Sequence, residues 1–541
     1  MLSRLVSKWI TRPGRDAAPD HAQREVEALL EEGVALHRDD YLDAAERCYL
    51  KVLVLDPYNF DALNLLGSIA LARVDYDAAL DYFENALRLR PGTPTFLENI
   101  GLALSGLGRP DEALEAMRKA LEIDPTCAAR VDSNILYILR VHPTIGEEEC
   151  FRAHREWASR FSDQVPRLPV PTGRCANPGR RLRIGYLSGD FRLHAVSAFL
   201  EVLLNHRDRT SFDVYCYKTL RQEDEITDRF RSNTDHWHDV FELDDDALVA
   251  LVRSHEIDIL VDLAGITSGQ RVQAIARRPA PVQIGYLGYL GSTGTSALDY
   301  RITDALADPP GHSERFHTER LVRLPRTQWC YTPSPSAPEP LPALGDGPIR
   351  FGSFHRLTKL HSAQLTLWAE LLARTPGTEL DMVDISSIDT RERVLAPFVE
   401  RGVAPERIRT HSRLKKGEYW DLMCRTHIAL DAYPYNGGAS TCESLWVGVP
   451  VISRVGRHGF SRSGASILCN AGLSELVAYS DDEFIDIAAR LAADRDRLAA
   501  LRASLRDRLR ASPLLDGPGF MRDLESAYRA IWAEYCARSA A

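Results

Sequence analysis

Three prolines, Pro57, Pro91 and Pro125, stand 34 residues apart, and each closes a segment with small and large residues in the same places. The recurring residues are Gly33, Ala45 and Tyr49, then Gly67, Ala79 and Phe83, then Gly101, Ala113 and Met117. Small residues let two antiparallel helices approach closely, the bulky residue fills the gap between neighbouring hairpins, and proline ends the second helix. The pattern therefore predicts an array of helical hairpins.

A 34-residue period with these residues is typical of tetratricopeptide repeats. The first repeat fits less well, because it has Val52 where the other two have Ala86 and Ala120. Stacks need about three repeats to be stable, so we expect the array, residues 23–143, to include a fourth helical unit, VDSNILYILRVHP. Such arrays bind extended peptides or other proteins, which predicts a protein partner. The alternative is that so short an array only caps the rest of the chain or joins two copies of it into a homodimer.

Composition and charge argue against several other classes of protein. With 66 Lys and Arg against 76 Asp and Glu, the 541-residue chain has a formal net charge of −10 without long single-sign runs, which argues against nucleic-acid binding. Ten cysteines are scattered without a CxxC pair, as expected of a reducing, cytoplasmic protein. We expect no membrane span, because no apolar run reaches about 18 residues. The basic amphipathic opening MLSRLVSKWITRPGR is interpreted as a loose helix rather than a membrane-surface contact.

After a linker rich in Pro and Gly between residues 161 and 180, short β-branched or aromatic runs alternate with amphipathic helical stretches. The first series is LRIGYLS (182–188), FDVYCY (212–217), IDILVDL (257–263), PVQIGYLGY (281–289), DYRITD (299–304) and LVRLP (321–325). The second is IRFGSF (349–354), ELDMVDI (379–385), RIRTHS (407–412), HIALDAY (427–433) and VPVISRV (449–455). Such alternation predicts parallel α/β sheets, here two Rossmann-like lobes at 180–330 and 349–541, the second including the terminal helices. Ligands of open sheets bind beyond the carboxyl ends of the strands, so we expect a site between the lobes.

A glycine-rich turn between a strand and a helix carries the strongest chemical signal in the segment LDAYPYNGGASTCESLWVGVP. Small residues there let a ligand touch the backbone, and exposed N–H groups at a helix start suit a pyrophosphate. Ser440 or Thr441 marks the expected helix start. Glu443 then either caps the helix or accepts hydrogen bonds from a ribose.

Eight segments stand in order between Arg181 and Cys536: RIGYLSGDFRLHAVS, RRPAPVQIGYLGYLGSTG, DYRITDALADPP, VRLP, YTPSP, FGSFHRLTKL, PYNGGASTCESLWVGVPV and SPLLDGPGFMRDLESAYRAIWAEYC. They resemble the protein O-GlcNAc transferase and SPINDLY family, in which tetratricopeptide repeats precede a GT-B glycosyltransferase region. Several of the segments are more similar to the SPINDLY branch than to the animal O-GlcNAc transferases. The resemblance implies an inverting transferase that moves a sugar from a nucleoside diphosphate sugar to Ser or Thr hydroxyls of proteins, with no metal or other cofactor.

On the catalytic side, Lys359 matches the family's lysine that contacts the diphosphate, where its ammonium would offset charge on the leaving phosphate. His194 matches a histidine that lines the sugar and acceptor side. Taken without the family, it is an ordinary half-buried histidine. Asp190 and His194 are both candidates for the general base, and a phosphate of the substrate is a third.

On the nucleotide side, Glu443 matches a carboxylate on the ribose, and the residues of the turn match those that meet the diphosphate: Gly438, Ala439, Ser440 and Thr441. Tyr419 occupies the place of an aromatic residue or histidine that stacks on the base, a use for which a flat ring is suited. Its alternative is ordinary packing at a lobe interface. Lys416 is similar to a family lysine, and either touches the nucleotide or is simply solvated.

The sequence also departs from the family pattern. Leu290 replaces a proline in GYLGSTG, Arg356 replaces a Gln or Asn three residues before Lys359, and the strand ELDMVDISSID lacks a basic residue that often follows it. Arg356 either replaces lost positive charge near the phosphates or marks a different sugar preference. We therefore expect UDP-GlcNAc as the first donor to consider and GDP-fucose as the alternative. A non-catalytic adaptor with a degenerate transferase region is the alternative outside the enzyme class.

Overall fold

The computed structural model describes residues 21–169, 175, 177–340 and 345–540. The amphipathic opening segment lies outside these residues. Two compact units form: the first comprises residues as far as Ile138 together with Ser386–Thr390, and the second comprises Leu139–Ile385 and Arg391–Ala541. Among the described helices, none combines the length and the apolar character that a membrane crossing requires.

The first unit contains three helical hairpins: α1 (His21–Arg38) with α2 (Leu42–Leu55), α3 (Phe60–Ala72) with α4 (Tyr76–Leu89), and α5 (Pro94–Gly106) with α6 (Pro110–Ile123). The repeated glycines lie where the helices approach each other. A Cβ added at Gly33, Gly67 or Gly101 would come within 2.5–2.6 Å of the bulky residue sixteen positions later in the same repeat. The repeated alanines are fully buried. This packing confirms the predicted tetratricopeptide repeats.

Helix α7 (Ala128–Val141) supplies the expected fourth helical unit, and α8 (Glu147–Phe161) follows it. The fully buried carboxylate of Glu98 in α5 accepts hydrogen bonds from Arg130 Nε over 2.7 Å and from Asn134 over 3.3 Å. These bonds attach α7 to the third hairpin. The last turn of α7, from Leu139, belongs with α8 to the second unit.

The second unit contains two parallel sheets, and the first has seven strands: β1 (Leu182–Ser188), β2 (Phe212–Lys218), β3 (His236–Asp239), β4 (Ile259–Asp262), β5 (Val282–Gly285), β6 (Tyr300–Asp304) and β7 (Arg320–Leu324). Helices α9 (Ser197–Asn205), α10 (Glu225–Asn233), α11 (Asp245–Ser254) and α12 (Val272–Ala276) lie between strands in the chain. The strand order is β3-β2-β1-β4-β5-β6-β7. Ile184 in the interior strand β1 pairs with Val214 on one side and Ile259 on the other, and all three are buried.

The second sheet has six strands: β8 (Arg350–Ser353), β9 (Glu379–Met382), β10 (Ile408–Thr410), β11 (Ile428–Leu430), β12 (Val451–Arg454) and β13 (Val477–Ala478). Its helices are α13 (Ser362–Arg374), α14 (Ile388–Val399), α15 (Lys416–Arg425), α16 (Ala439–Trp446), α17 (Ser463–Asn470), α18 (Asp481–Ala493) and α19 (Arg495–Arg510). The strand order is β10-β9-β8-β11-β12-β13, so chain order reverses between β8 and β11. Two doubly wound parallel sheets confirm the predicted α/β architecture of two Rossmann-like lobes.

The final helix, α20 (Gly517–Ala540), packs on the first sheet rather than the second. Its buried Tyr528 brings its hydroxyl within 3.5 Å of that of Tyr186 in β1, and its Glu534 binds Arg320 in β7 over 2.6 Å. The expectation that the second lobe extends to residue 541 is therefore corrected for this helix, which follows the second lobe in sequence but covers the first.

Cys536 in α20 forms a disulfide with Cys175, and the two Cα atoms are 5.1 Å apart. The expectation of cysteines that are all reduced is wrong for this pair. Because 361 residues separate the two cysteines, spacing along the sequence carried no sign of it.

Candidate active site

Lys359 lies just beyond the carboxyl end of β8, in a short 3₁₀ turn. Its Nζ donates a hydrogen bond to the carbonyl of Asn436 over 3.1 Å and lies 4.3 Å from the ring centroid of Tyr435. Burial lowers the pKa of Lys359 to about 8; the charge of Asp431 opposes this shift, and Arg356 adds to it. The lysine is thus a half-buried cation beside the turn that follows β11, where a negatively charged ligand would be stabilised.

Asp431 holds that turn in shape. Its buried carboxylate accepts hydrogen bonds from the Gly437 N–H over 2.7 Å and the Ser453 hydroxyl over 2.6 Å, and lies 3.2 Å from His355 Nε2. These contacts connect the ends of β8, β11 and β12. Sequence reasoning missed Asp431 because it lay inside the predicted strand HIALDAY. The signal that was available is a carboxylate directly after a buried apolar run.

Helix α16 begins at Ala439. Its N-cap residue is Gly438, which has no side chain that could cap the helix. A Cβ on Gly437 would lie 2.5 Å from Ser440 Oγ, so this close turn needs glycine. Ser440 is half-buried, while the buried Thr441 donates its hydroxyl to the Gly437 carbonyl over 3.2 Å. The helix therefore starts one or two residues before the predicted start at Ser440 or Thr441. The N–H groups of its first turn form a site suited to an anion.

Glu443 does not cap α16. Its carboxylate accepts a hydrogen bond from the hydroxyl of Tyr419 in α15 over 3.1 Å. Burial raises the pKa of Glu443, against the hydrogen bond from Tyr419 and the charge of Lys416. The ring of Phe354 meets that of Tyr419 edge-on, 5.6 Å between centroids. The residues predicted to bind a nucleoside, Lys416, Tyr419 and Glu443, therefore lie together.

The first lobe contributes Asp190 and His194, which follow β1. The Asp190 backbone N–H donates to Ser188 Oγ over 2.9 Å, and the largely buried carboxylate lies 3.4 Å from His194 Nδ1. Burial lowers the pKa of His194, Asp190 opposes the shift, and the charges of Arg192 and Arg356 add to it. Since Arg356 follows β8, a charge from the second lobe acts on a histidine of the first.

Arg356 has an exposed side chain and contributes to the pKa shifts of three neighbours. It lowers the pKa of His194 and Lys359, and opposes the burial that raises the pKa of Asp384. Asp384 follows β9, where the basic residue expected from the family pattern is missing, and adopts a φ of 63°. Arg356, the cation that one departure adds, thus acts on Asp384, which lies where the other departure removes a cation.

Two matches to protein families cover most of the chain. Residues 170–331 and 341–524 match the family model described as glycosyl transferase family 41, and residues 30–94 and 64–126 match that of the tetratricopeptide repeat. Two Rossmann-like sheets preceded by such repeats have the architecture of a GT-B fold with an N-terminal tetratricopeptide array. The chain belongs to glycosyl transferase family 41.

Relatives and a solved structure agree with this assignment. The chain is 37% identical to SPINDLY of rice (Oryza sativa subsp. japonica), a probable UDP-N-acetylglucosamine–peptide N-acetylglucosaminyltransferase, over 78% of this chain and 46% of that protein. It is 28% identical to SEC of Arabidopsis thaliana over 70% of this chain and 40% of that one. The chain thus spans about half the length of these relatives, and the resemblance to the SPINDLY branch is confirmed.

A solved structure of an O-GlcNAc transferase from Thermobaculum terrenum, a lysine-to-methionine mutant, superposes with a TM-score of 0.92 at 36% identity. The match covers 97% of this chain and all of the other. It therefore includes the helical repeats as well as both lobes.

Proposed function

We propose that this protein is an inverting O-glycosyltransferase that moves a sugar from a nucleoside diphosphate sugar to Ser or Thr hydroxyls of proteins. The observation that carries the proposal is the convergence at the carboxyl ends of two sheets. Lys359, the start of α16 and the Tyr419–Glu443 pair stand on one side, and Asp190 with His194 on the other. An anion site, a nucleoside site and a proton acceptor are the parts that such a transfer requires.

The donor would bind mainly to the second lobe. Its diphosphate suits the first-turn N–H groups of α16, including those of Ala439 and Ser440, because the helix dipole favours negative charge there. Its ribose would hydrogen-bond to Glu443, and its base would stack on Tyr419. Lys416, one turn before Tyr419, and Arg356 supply positive charge around the nucleotide.

The transfer itself needs one bond made and one broken. The acceptor oxygen attacks the anomeric carbon from the face opposite the phosphate, the bond from that carbon to the phosphate oxygen breaks, and the nucleoside diphosphate leaves. Lys359 offsets the charge that develops on the leaving oxygen, which preorganised cations do well in a partly dry site. The acceptor proton passes to Asp190, to His194 or to a donor phosphate. His194 suits this role because its lowered pKa keeps it neutral near pH 7.

The tetratricopeptide repeats support a protein acceptor, because stacked helical hairpins present extended surfaces for peptides. We infer that the acceptor reaches the enzyme through residues 23–143, in the cytoplasm, and that no metal takes part. UDP-GlcNAc is the donor to test first, since relatives of this chain are named for it. GDP-fucose is the second candidate, because Arg356 and Leu290 change the pattern beside the phosphates and the sugar.

The test is a donor panel with purified full-length protein and cell lysate as acceptor. Radiolabelled UDP-GlcNAc, GDP-fucose and other nucleotide sugars are compared, and base-catalysed release of the label reports linkage to Ser or Thr. Label transferred by the wild type but not by Lys359→Met supports the proposal and names the donor. Tight nucleotide binding without transfer from any donor would instead support the adaptor alternative.

A further inference from the structure

Arg140, in the last turn of α7, is buried inside the second unit with only 2% of its surface exposed. Its guanidinium carbon lies 3.8 Å from the ring centroid of Tyr289, 5.0 Å from that of Tyr435 and 5.2 Å from that of Phe460. Its Nη2 donates to the Leu290 carbonyl over 2.8 Å and to the Tyr435 hydroxyl over 3.3 Å. A cation surrounded by aromatic faces in this way is fixed in position.

Tyr435 is the residue that joins Arg140 to Lys359. Lys359 Nζ lies 4.3 Å from the same ring centroid that Arg140 contacts, and the ring stacks on Phe460 at 5.6 Å and 12°. Because the lysine side chain is flexible, the groups around its ammonium determine where the ammonium lies. Here those groups are the Asn436 carbonyl and the Tyr435 ring.

Arg140 and Lys359 also interact through their charges. Three ionisable groups act on Lys359: Asp431 after β11 raises its pKa, while Arg356 after β8 and Arg140 in α7 lower it. Around Arg140 itself lie His154 in α8 and His458 after β12, and burial followed by the charge of Arg140 lowers the pKa of both. His154 Nε2 also lies 2.6 Å from the Tyr289 hydroxyl, so α8 holds the ring on the other side of Arg140.

We propose that Arg140 is a positioning residue for Lys359, acting through the ring of Tyr435, so that α7 helps to build the transfer site. This inference rests on the role proposed above for Lys359. The aromatic rings and the Leu290 carbonyl that Arg140 contacts belong to neither the anion site at α16 nor the Tyr419–Glu443 pair, so its effect should fall on turnover rather than on nucleotide binding.

The experiment compares Arg140→Met with Arg140→Lys, with Tyr435→Leu and Tyr435→Phe, and with the exposed Arg497→Met as control. Arg140→Met and Tyr435→Leu should each lower kcat about tenfold, the factor that one desolvated cation–π contact can be worth, with the donor KM within about twofold. Tyr435→Phe keeps the ring and Arg140→Lys keeps the charge, so both should retain more of the activity. Arg497→Met should match the wild type.

A double variant separates positioning from general damage. If Arg140 acts through Lys359, then Arg140→Met should have no further effect in a Lys359→Met background, because the group it positions is already missing. If the kcat of the double variant instead falls by the product of the two single-variant factors, the proposal is overturned. An unchanged kcat in a folded Arg140→Met protein would also overturn it. If that variant does not fold by circular dichroism, the same cycle is run with Tyr435→Leu.

A measurement without turnover keeps this inference separate from the proposed function. Only the unprotonated amine of Lys359 reacts with an acylating reagent, so its labelling rate against pH, followed by mass spectrometry, reports its pKa. Arg140→Met should move the midpoint upward from about 8, and Arg140→Lys should return it. An unmoved midpoint would overturn the proposal even in an active enzyme, whereas a shifted midpoint without transfer from any donor would leave it standing and remove the proposed function.

Discussion

The hydroxyl of Tyr419 donates a hydrogen bond to Glu443 over 3.1 Å, joining α15 and α16, the helices that precede and follow β11 in the chain. Both side chains are half-buried, and burial raises the pKa of the Glu443 carboxyl. The pair therefore presents one ring and one carboxyl group at a fixed separation, which suits the proposed binding of a base and a ribose.

Removing that carboxyl should weaken nucleotide binding. Glu443→Ala is expected to raise the Kd of UDP or GDP about tenfold, since a hydrogen bond to a charged group is worth about 1.5 kcal/mol or more. Tyr419→Phe keeps the aromatic ring and should raise the nucleotide Kd by a smaller factor. Isothermal titration calorimetry measures both, with the exposed Glu475→Ala as control. An unchanged Kd in Glu443→Ala for both nucleotides would show that the ribose binds elsewhere.

Lys359→Met should lower turnover far more than nucleotide affinity. In its proposed role the lysine would offset charge that builds up only as the glycosidic bond breaks, so its loss should add about 3 kcal/mol to the barrier, as for one preorganised donor. The variant should also melt at the same or a higher temperature, because a buried amine with a lowered pKa costs stability. Initial rates and calorimetric Kd values provide the comparison. Equal losses in rate and affinity would mean that Lys359 only binds.

Transfer activity should survive a chelator. In the proposed mechanism, Lys359 and the α16 N-terminus would supply the positive charge that a divalent metal gives to a diphosphate in other transferases. Full activity is therefore expected after dialysis against EDTA, measured with the donor found in the panel. Loss of activity that Mg²⁺ or Mn²⁺ restores would contradict this assignment.

The repeats and most strands were predictable because their signals are local. Gly33 and Tyr49 recur with their counterparts at a fixed period, and the central strands are continuous apolar runs. The edge strand β3 was missed because His236–Asp239 is half-exposed and polar, and β13 because it has two residues.

Within the site, motif similarity located Lys359, Tyr419 and Glu443 but not the residues that hold them. Arg140 lies 150 residues from Leu290 and 295 from Tyr435, and it looked like one more charge on an amphipathic helix. The role proposed for Arg140 follows only from the contacts of the last turn of α7 with the loops that contain Leu290 and Tyr435.

Acid should destabilise the protein partly through His238 in β3. Burial and the neighbouring His255 and His236 lower the pKa of His238 to about 4, against the opposing charge of Asp239. Because the pKa of His238 is lowered in the folded state, this histidine does not reduce the free energy of unfolding above its unfolded-state pKa of about 6.5. As the pH falls from about 6.5 towards about 4, the free energy of unfolding decreases.

His238→Phe keeps a ring stacked on Tyr217. On acidification the variant should therefore lose about 1 kcal/mol less free energy of unfolding than the wild type. Urea unfolding at pH 7, 5.5 and 4.5 measures it, with the exposed His21→Gln as control. The gap between wild type and His238→Phe should change with pH, and a constant gap would assign the acid effect to other groups.

The repeats should choose the acceptor protein, while the lobes perform the transfer. Because Arg140 and α8 belong to the second unit, a shortened chain that tests this must keep α7 and α8, and so should begin at Ala128 rather than near Arg180. The shortened chain should bind nucleotide and hydrolyse the donor like the full chain once circular dichroism has shown it to be folded. Labelling of whole proteins in a lysate should fall strongly, because the surface of α1–α6 is gone. If both chains label the same set of proteins equally, the repeats have only a structural part.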